Sequence, residues 1–468
     1  MTTGAASTLG ELRASGLVTR RVRDELRRNL LARLGRGERI LPGIVGYDET
    51  VIPEIENAIL SGHHMVLLGE RGQAKSRIIR GLVDLLDEEV PAVAGCEIHC
   101  DPYAPICAPC RARAAELGDE LPIAWLARSD RYAEKLATPD VSIADLIGEI
   151  DPIKVAEGRY LADATTIHYG LIPRTNRGIF AINELPDLME KIQVGLFDLM
   201  EERDVQVKGF KIRLPLDVVI VASANPEDYT SRGRIVTPLK DRFDVQIRTH
   251  YPRSIVEEIA ILDQEVPLDE RDGRQVRVPG FMREIVAQIT FEARRSPEVS
   301  QASGVSVRMT INNLETVVAN AERRAVRLGE MEIVPRPCDL HAISASMLGK
   351  LEMEVASDDR ADEKATFERI VNRAVVAVFD RAIALDRLRR VAEWFEAGGG
   401  VEISDAMAAD EYLEGVGGIP GLREAIAEIG PFETPPLVAA ATEFLLEGLH
   451  LHQKLNKDLS GGRATYRA

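Results

Sequence analysis

The segment His64–Arg80, HMVLLGERGQAKSRIIR, places the tightest restriction on what this chain can fold into. A short apolar run ends at Gly69, a glycine-bearing turn follows, and Lys75 opens a stretch with helical spacing. Strand, glycine loop and helix in that order let backbone N–H groups converge on a phosphate at the positive end of the helix. The pattern G-x-x-x-x-G-K-[ST] fits everywhere except Ala74, which stands where the second glycine belongs. A methyl group is tolerated there if φ is negative, since only positive φ or close backbone approach demands glycine. The candidate nucleotide ligands are therefore Gly69, Glu70, Arg71, Gly72, Gln73, Ala74, Lys75, Ser76 and Arg77. Lys75 would reach the β- and γ-phosphates, and the Ser76 hydroxyl would ligate Mg²⁺. The bland alternative is a glycine-rich strand–helix turn that binds nothing.

A length of 468 residues allows two to four domains, and 45% hydrophobic with 28% charged residues is the composition of an ordinary globular protein. No run approaches the roughly eighteen apolar residues of a membrane span. The amino-terminal residues lack an apolar core followed by a cleavage site, so a cytoplasmic protein is expected. A net charge of −17 argues against nucleic-acid binding, which needs cations to replace phosphate counterions. Residues 20–39 are locally rich in arginine, but Val22, Leu26, Leu30 and Leu34 fall on one helical face, so they read as an amphipathic helix.

Two further apolar runs, RGIFAINEL (177–185) and LDVVIVASAN (216–225), are β-branched and short, as buried parallel strands are. EKIQVGLFDLMEER between them has helical spacing, and DVQVKGFKIRLPL alternates about Lys-Gly as a hairpin does. From about Pro252 the pattern is mostly helical; acidic 357–367 reads as a linker leading into another long helix, and DLSGGRATYRA as a frayed tail.

Four more stations follow the loop in order. Asn183-Glu184 ends one predicted strand; a glutamate there suits the orientation of an attacking water. Asn225 ends the next and is placed to orient the same water. Arg242, in TPLKDRFD, suits a reach toward a neighbouring subunit's γ-phosphate. Arg308, in SGVSVRMTINNLE, opens a helix in the later region. Each has a dull explanation singly: a strand cap, a turn before Pro226, an exposed salt bridge of little worth.

Taken in order, these motifs resemble the AAA+ ATPases of the MoxR and magnesium-chelatase I-subunit group, over roughly residues 40–350. The resemblance implies an α/β fold: a phosphate-loop core with a parallel sheet flanked by helices, then a helical lid and a helical C-terminal region. Its expected boundaries are a basic helical arm at 1–42, a core at 43–252, a lid at 253–356 and a helical region at 357–468. The core would hold a cysteine-bearing insertion at about 95–140 and a helix-2 insertion at 141–178. The resemblance further implies Walker A at Lys75 and Ser76, Walker B at Asn183 and Glu184, and sensor 1 at Asn225. It also implies an arginine finger at Arg242, sensor 2 at Arg308 and a pre-sensor-1 hairpin at 205–214. The family usually carries aspartate where this chain has Asn183. Asparagine removes one negative charge from the Mg²⁺ surroundings while keeping shape and a carbonyl acceptor. With Glu184 intact as base, slow ATP hydrolysis is expected.

Four of the five cysteines, Cys96, Cys100, Cys107 and Cys110, are spaced C-x3-C-x6-C-x2-C. In a cytoplasmic protein such clustering points to Zn²⁺ rather than disulfides. His99 is an alternative to Cys100, an iron–sulfur cluster an alternative to zinc, and four unliganded thiols an alternative to both. Cys338 stands alone.

The function expected is ATP-driven remodelling of a partner protein by a homo-oligomeric ring. The resemblance implies a hexamer and partners with von Willebrand factor A domains, in protein maturation or metal insertion. The competing readings are a magnesium-chelatase subunit of tetrapyrrole synthesis, a nucleotide-responsive scaffold marked by Asn183, and a sigma-54-type activator. The last would carry a Gly-Ala-Phe-Thr-Gly-Ala string, which this sequence lacks.

Overall fold

The structure is a computed structural model that describes residues 6–468 apart from 151–166, 203–204, 208–209, 213, 227–233, 269, 301–303, 353–359, 405 and 461–462. The chain divides into two compact units, 1–250 and 251–468.

In the first unit a parallel sheet is built from β1 (Met65–Leu68), β2 (Tyr132–Leu136), β3 (Gly178–Asn183), β4 (Val218–Ala224) and β5 (Val245–Arg248). Their spatial order is β5-β1-β4-β3-β2. The three central strands are the apolar runs of the sequence. Because side chains alternate across a strand, one face collects Val66, Phe180, Ile182, Ile220 and Ala222, and the other Met65, Leu67, Ile179, Val219 and Val221. Helices cover the second face: Val51–Leu60 contributes Ile52 and Ile55, and Lys75–Gly81 contributes Ile78 and Ile79.

The two edge strands are absent from the sequence reading. Tyr132–Leu136 (YAEKL) and Val245–Arg248 (VQIR) are only partly buried and carry charged residues, so no apolar run announces them. The first lies inside the stretch expected as a cysteine-bearing insertion.

The arginine-rich segment forms a helix, Val22–Gly35, with Val22, Leu26 and Leu30 buried as expected. Leu34 is a correction: it is 39% exposed, because the last turn runs beyond the core. Sequence periodicity also missed Glu25, which is buried on this helix and pairs with Arg131 at 2.6 and 2.7 Å while accepting the Asp87 N–H at 2.6 Å. Of the expected helix-2 insertion, Gly148–Ile150 pairs antiparallel with Ile167–Tyr169, and the intervening residues lie outside the described ones. The expected hairpin pairs Val205–Val207 with Phe210–Ile212, its Lys-Gly turn likewise outside.

The second unit is mainly helical around one hydrophobic cluster running from Leu262 to Tyr466. Phe281 stacks on Phe444 with centroids 4.4 Å apart, and a buried Arg324–Asp339 pair ties the helix Val307–Leu328 to the segment 337–343. Two expectations fail here. The acidic stretch 357–367 is largely the start of a helix, Arg360–Ala382, whose first turn carries Asp362 and Glu363 where a helix dipole favours them. The tail is not frayed: Asn456–Ser460 and Arg463–Arg467 pair antiparallel, and the latter also pairs with Val401–Ser404. Tyr466 is fully buried and its hydroxyl donates to Glu447 at 2.5 Å, which anchors the terminal strand. Among the described residues no helix is long and apolar enough to cross a membrane.

Candidate nucleotide site

Strand register assembles the site. Leu68 lies beside Ala224 in the sheet, and Ala222 beside Ile182, so β1, β4 and β3 end together at one edge. Gly69, Asn225 and the Asn183-Glu184 pair thus emerge side by side at the carboxyl ends of adjacent parallel strands, the edge where open α/β sheets bind ligands. The Gly69 N–H donates to the Ala224 carbonyl at 3.1 Å, which locks the loop's first residue onto β4.

The loop turns through two left-handed residues, Gly72 at φ 78° and Ala74 at φ 57°. The expectation of negative φ at Ala74 is therefore wrong. The alanine adopts the conformation that glycine would adopt without cost, at a penalty of roughly 1–2 kcal/mol. Gly69 is required for another reason: a Cβ there would sit 1.8 Å from Thr249 Oγ1 and 2.2 Å from Gln73 Oε1. Gln73 braces the turn, accepting from the Glu70 N–H at 3.1 Å and from Thr249 Oγ1 at 2.7 Å. Beneath it the buried Tyr47 hydroxyl lies 3.0 Å from the Gln73 carbonyl and 2.6 Å from that of His250. Burial pushes the Tyr47 pKa up to about 12, so it remains a donor.

Lys75 is buried and its Nζ donates to the carbonyls of Gly69 and, at 2.8 Å, Glu70. An ammonium capped by two loop carbonyls is poised to exchange them for phosphate oxygens. Ser76 and Arg77 are exposed in the first turn of the loop helix, and Arg71 is exposed on the loop. Beside them lies a cleft of about 340 Å³ lined by Gly69, Glu70, Gln73, Pro226, Lys240 and Arg248 among others. The two cations, Lys240 and Arg248, were not singled out from the sequence, because nothing in their spacing distinguishes them from a solvated face.

Asn225 is 1% exposed, and its Oδ1 has no hydrogen-bond partner among the described residues. A buried acceptor left open at the end of β4 fits a site completed by a ligand or an ordered water. Glu184 is half-buried at φ 56°, ψ 47°, and its N–H donates to Ser223 Oγ at 3.3 Å.

Asn183 has a partner that the sequence gave no sign of. Its Nδ2 donates to Glu134 Oε1 at 2.5 Å, and its Oδ1 accepts from Ser223 Oγ at 3.3 Å. Glu134, on the unforeseen strand β2, also accepts from Arg80 at 2.8 and 2.9 Å and from Tyr132 Oη at 2.9 Å. The Arg80 guanidinium, with help from Tyr132 and Asn183, holds the Glu134 carboxyl below its ordinary value. A full negative charge therefore stands one hydrogen bond from the position where the motif lost one.

Arg242 is not among the residues that line this cleft. It ends the helix Thr237–Arg242 and lies two residues before Asp244, whose carboxylate accepts from the His64 N–H at 2.9 Å at the start of β1. Asp244 thus sits at the edge of the sheet opposite the loop, whereas Lys240 of the same helix lines the loop cleft. Arg308 sits exposed in the first turn of the helix Val307–Leu328 of the second unit.

The four predicted cysteines converge. Cys96, Cys100, Cys107 and Cys110 place their sulfurs within 4.8 Å of one another, and the alternative ligand His99 is not in the group.

No family model matches the chain. Among curated proteins it is 29% identical over 235 residues to the magnesium-chelatase 38 kDa subunit of Acidiphilium rubrum, covering 48% of this chain and 60% of that protein. It is 29% identical over 235 residues to the magnesium-chelatase subunit ChlI of a Nostoc strain, covering 48% and 58%. A chloroplastic ChlI of Oryza sativa aligns at 25% over 338 residues, covering 62% and 76%. The chain thus spans about 60% of the length of the first relatives it matches. Superposition on a chain of the BchI–BchD complex of magnesium chelatase gives a TM-score of 0.36 at 19% identity over 69% of this chain and 98% of that one, too loose to argue from. In motif order, in its 5-1-4-3-2 parallel sheet and in these sequence relatives, the chain is similar to the AAA+ ATPases of the magnesium-chelatase I-subunit group.

Proposed function

We propose that the chain binds Mg·ATP on residues 69–77, hydrolyses it, and uses the cycle to remodel a separate protein partner. The carrying observation is the register that sets the Lys75 loop, Asn225 with its open acceptor and Glu184 on one sheet edge. Mg²⁺ supplies charge neutralisation between the phosphates, and Ser76 with the Asn183 carbonyl would hold it. The chain's own residues do the rest. Lys75 leaves the loop carbonyls for phosphate, Asn225 Oδ1 orients a water, and Glu184 accepts its proton as it attacks. Glu134 keeps a negative charge beside Asn183, so the missing aspartate slows this chemistry rather than abolishing it.

In a ring, Arg242 at the end of the helix Thr237–Arg242 would serve a neighbour's nucleotide. A hexamer, a von Willebrand factor A partner and a part in protein maturation or metal insertion complete the reading. The names of the relatives favour a second form of it, a subunit of magnesium chelatase in tetrapyrrole synthesis. Neither form requires the zinc expected at the cysteines.

The test measures nucleotide affinity and phosphate release together. Lys75→Ala should weaken ATP binding at least tenfold, and Glu184→Gln should retain binding while losing most phosphate release. Unchanged affinity in the first variant defeats the site. A wild type as inactive as Glu184→Gln turns the protein into a nucleotide-responsive scaffold. Restored porphyrin metallation with chelatase partners decides for the second form.

A further inference from the structure

The segment between the antiparallel strands Glu89–Val93 and Ile123–Ala127 has no place in phosphate chemistry, yet it is tightly built. Cys100, Cys107 and Cys110 are buried and Cys96 half-buried, and none is in a disulfide. Three backbone N–H groups point at the sulfurs: Cys100 N at Cys96 Sγ, Cys107 N at Cys100 Sγ and Cys110 N at Cys107 Sγ, each 3.4 Å. Amides aimed at sulfur favour the thiolate, and four thiolates packed together need a cation.

Size selects a single ion over a cluster, and thiolate chemistry favours zinc. Tetrahedral Zn²⁺ with bonds of about 2.3 Å holds its sulfurs about 3.8 Å apart. Here all four lie within 4.8 Å of one another, and Cys96 and Cys107 are 4.0 Å apart. An iron–sulfur cluster spreads its four cysteines over two or four irons and needs a wider cage. With four protein sulfurs and no open position, the chemistry is that of a structural site.

The surroundings say what it braces. Asn176 Nδ2 donates to the Ile98 carbonyl at 2.9 Å, and its Oδ1 accepts the Asp217 N–H at 2.9 Å. Arg177 Nη1 donates to the Pro91 carbonyl at 2.5 Å, and Arg113 Nη1 to that of Ala94 at 2.9 Å. Asn176 and Arg177 lead directly into β3, which carries Asn183 and Glu184 at its far end. A cysteine loop that runs into the helix Ala108–Leu117 is thus pinned at the amino end of that strand, and its irregular part, 94–107, needs a staple to keep its shape.

The geometry points to one Zn²⁺ held by Cys96, Cys100, Cys107 and Cys110, a structural brace for the root of β3 that takes no part in phosphoryl transfer. This goes beyond the proposed ATPase cycle and stands or falls separately from it. Full-length protein without an affinity tag should carry about one zinc per chain by elemental analysis. Titration with a mercurial in the presence of a zinc indicator should release that zinc as four thiols react. Growth with Co²⁺ should give the intense sulfur-to-metal and ligand-field bands of a tetrahedral tetrathiolate. Cys107→Ser should lose at least tenfold in retained zinc while Cys338→Ser loses none. Should Cys107→Ser fail to fold, the wild-type stoichiometry and the Co²⁺ spectrum still decide. Metal-free protein with four immediately reactive thiols, disulfides, or stoichiometric iron with visible sulfide bands would each overturn the assignment.

Discussion

Ala74 and Asn183 are the two residues at which this chain departs from its motif, and the structure treats them oppositely. Ala74 is tolerated at a cost: its left-handed backbone is what a glycine supplies. Ala74→Gly should raise stability by about 0.5–1 kcal/mol, the strain relieved less the extra unfolded-state entropy of glycine, read from the urea midpoint at unchanged slope. Asn183 is accommodated, because its amide meets Glu134. Asn183→Asp would set two carboxylates at that 2.5 Å contact, and like charges so close cannot both ionise. The new carboxyl would have a raised folded pKa. Its variant should match the wild type in acid and lose stability progressively as pH rises past the ordinary carboxylate range. Adding Glu134→Gln should remove that pH dependence. The wild-type Glu134, held below its ordinary value by Arg80, behaves conversely: its contribution is present above the unfolded pKa and lost as pH falls through the folded one. Urea midpoints across the pH range check all three chains. A uniform deficit for Asn183→Asp would show that the two side chains do not meet.

At the scale of elements, legibility followed burial. The central strands of the sheet were readable because they are apolar on both faces, and the strand–loop–helix turn at 65–81 because its glycines and lysine punctuate an apolar run and a helical one. Edge strands β2 and β5 were not, since strands with one partner and one wet side carry ordinary polar residues. Glu134 was lost with β2. The terminal hairpin was missed for a different reason: position at the chain end suggested fraying, although a Gly-Gly between two alternating runs is a hairpin signal in its own right. Tyr466→Ala tests the correction, because a fully buried aromatic should cost about 3–5 kcal/mol in the unfolding of the chain whereas a frayed tail would cost nothing measurable. Unchanged thermal and urea transitions would return the tail to solvent.

For the whole molecule, the placement of Arg242 carries the main consequence. In the proposed ring it acts on a nucleotide brought by another copy. Arg242→Ala should therefore keep the nucleotide affinity of the isolated chain and lower phosphate release at least tenfold under assembling conditions. Mixed with an equal amount of Lys75→Ala, it should regain part of that release, since a ring of both contains interfaces where an intact loop meets an intact arginine. Release that falls equally in dilute, unassembled protein would place the arginine's effect within one chain.

What the sequence alone determined is the local chemistry: a phosphate loop between strand and helix, a glutamate after a buried strand, an asparagine after the next, and four cysteines close along the chain. These are short-range patterns, written in neighbouring residues. Tertiary structure decided what those residues meet. Strand register aligned Gly69, Asn225 and Glu184 on one edge, and pairing across strands gave Asn183 its carboxylate. Contacts between residues 49 positions apart, as Glu134 and Asn183 are, come from the order in which strands lie in the sheet, and that order has no local signature in the chain.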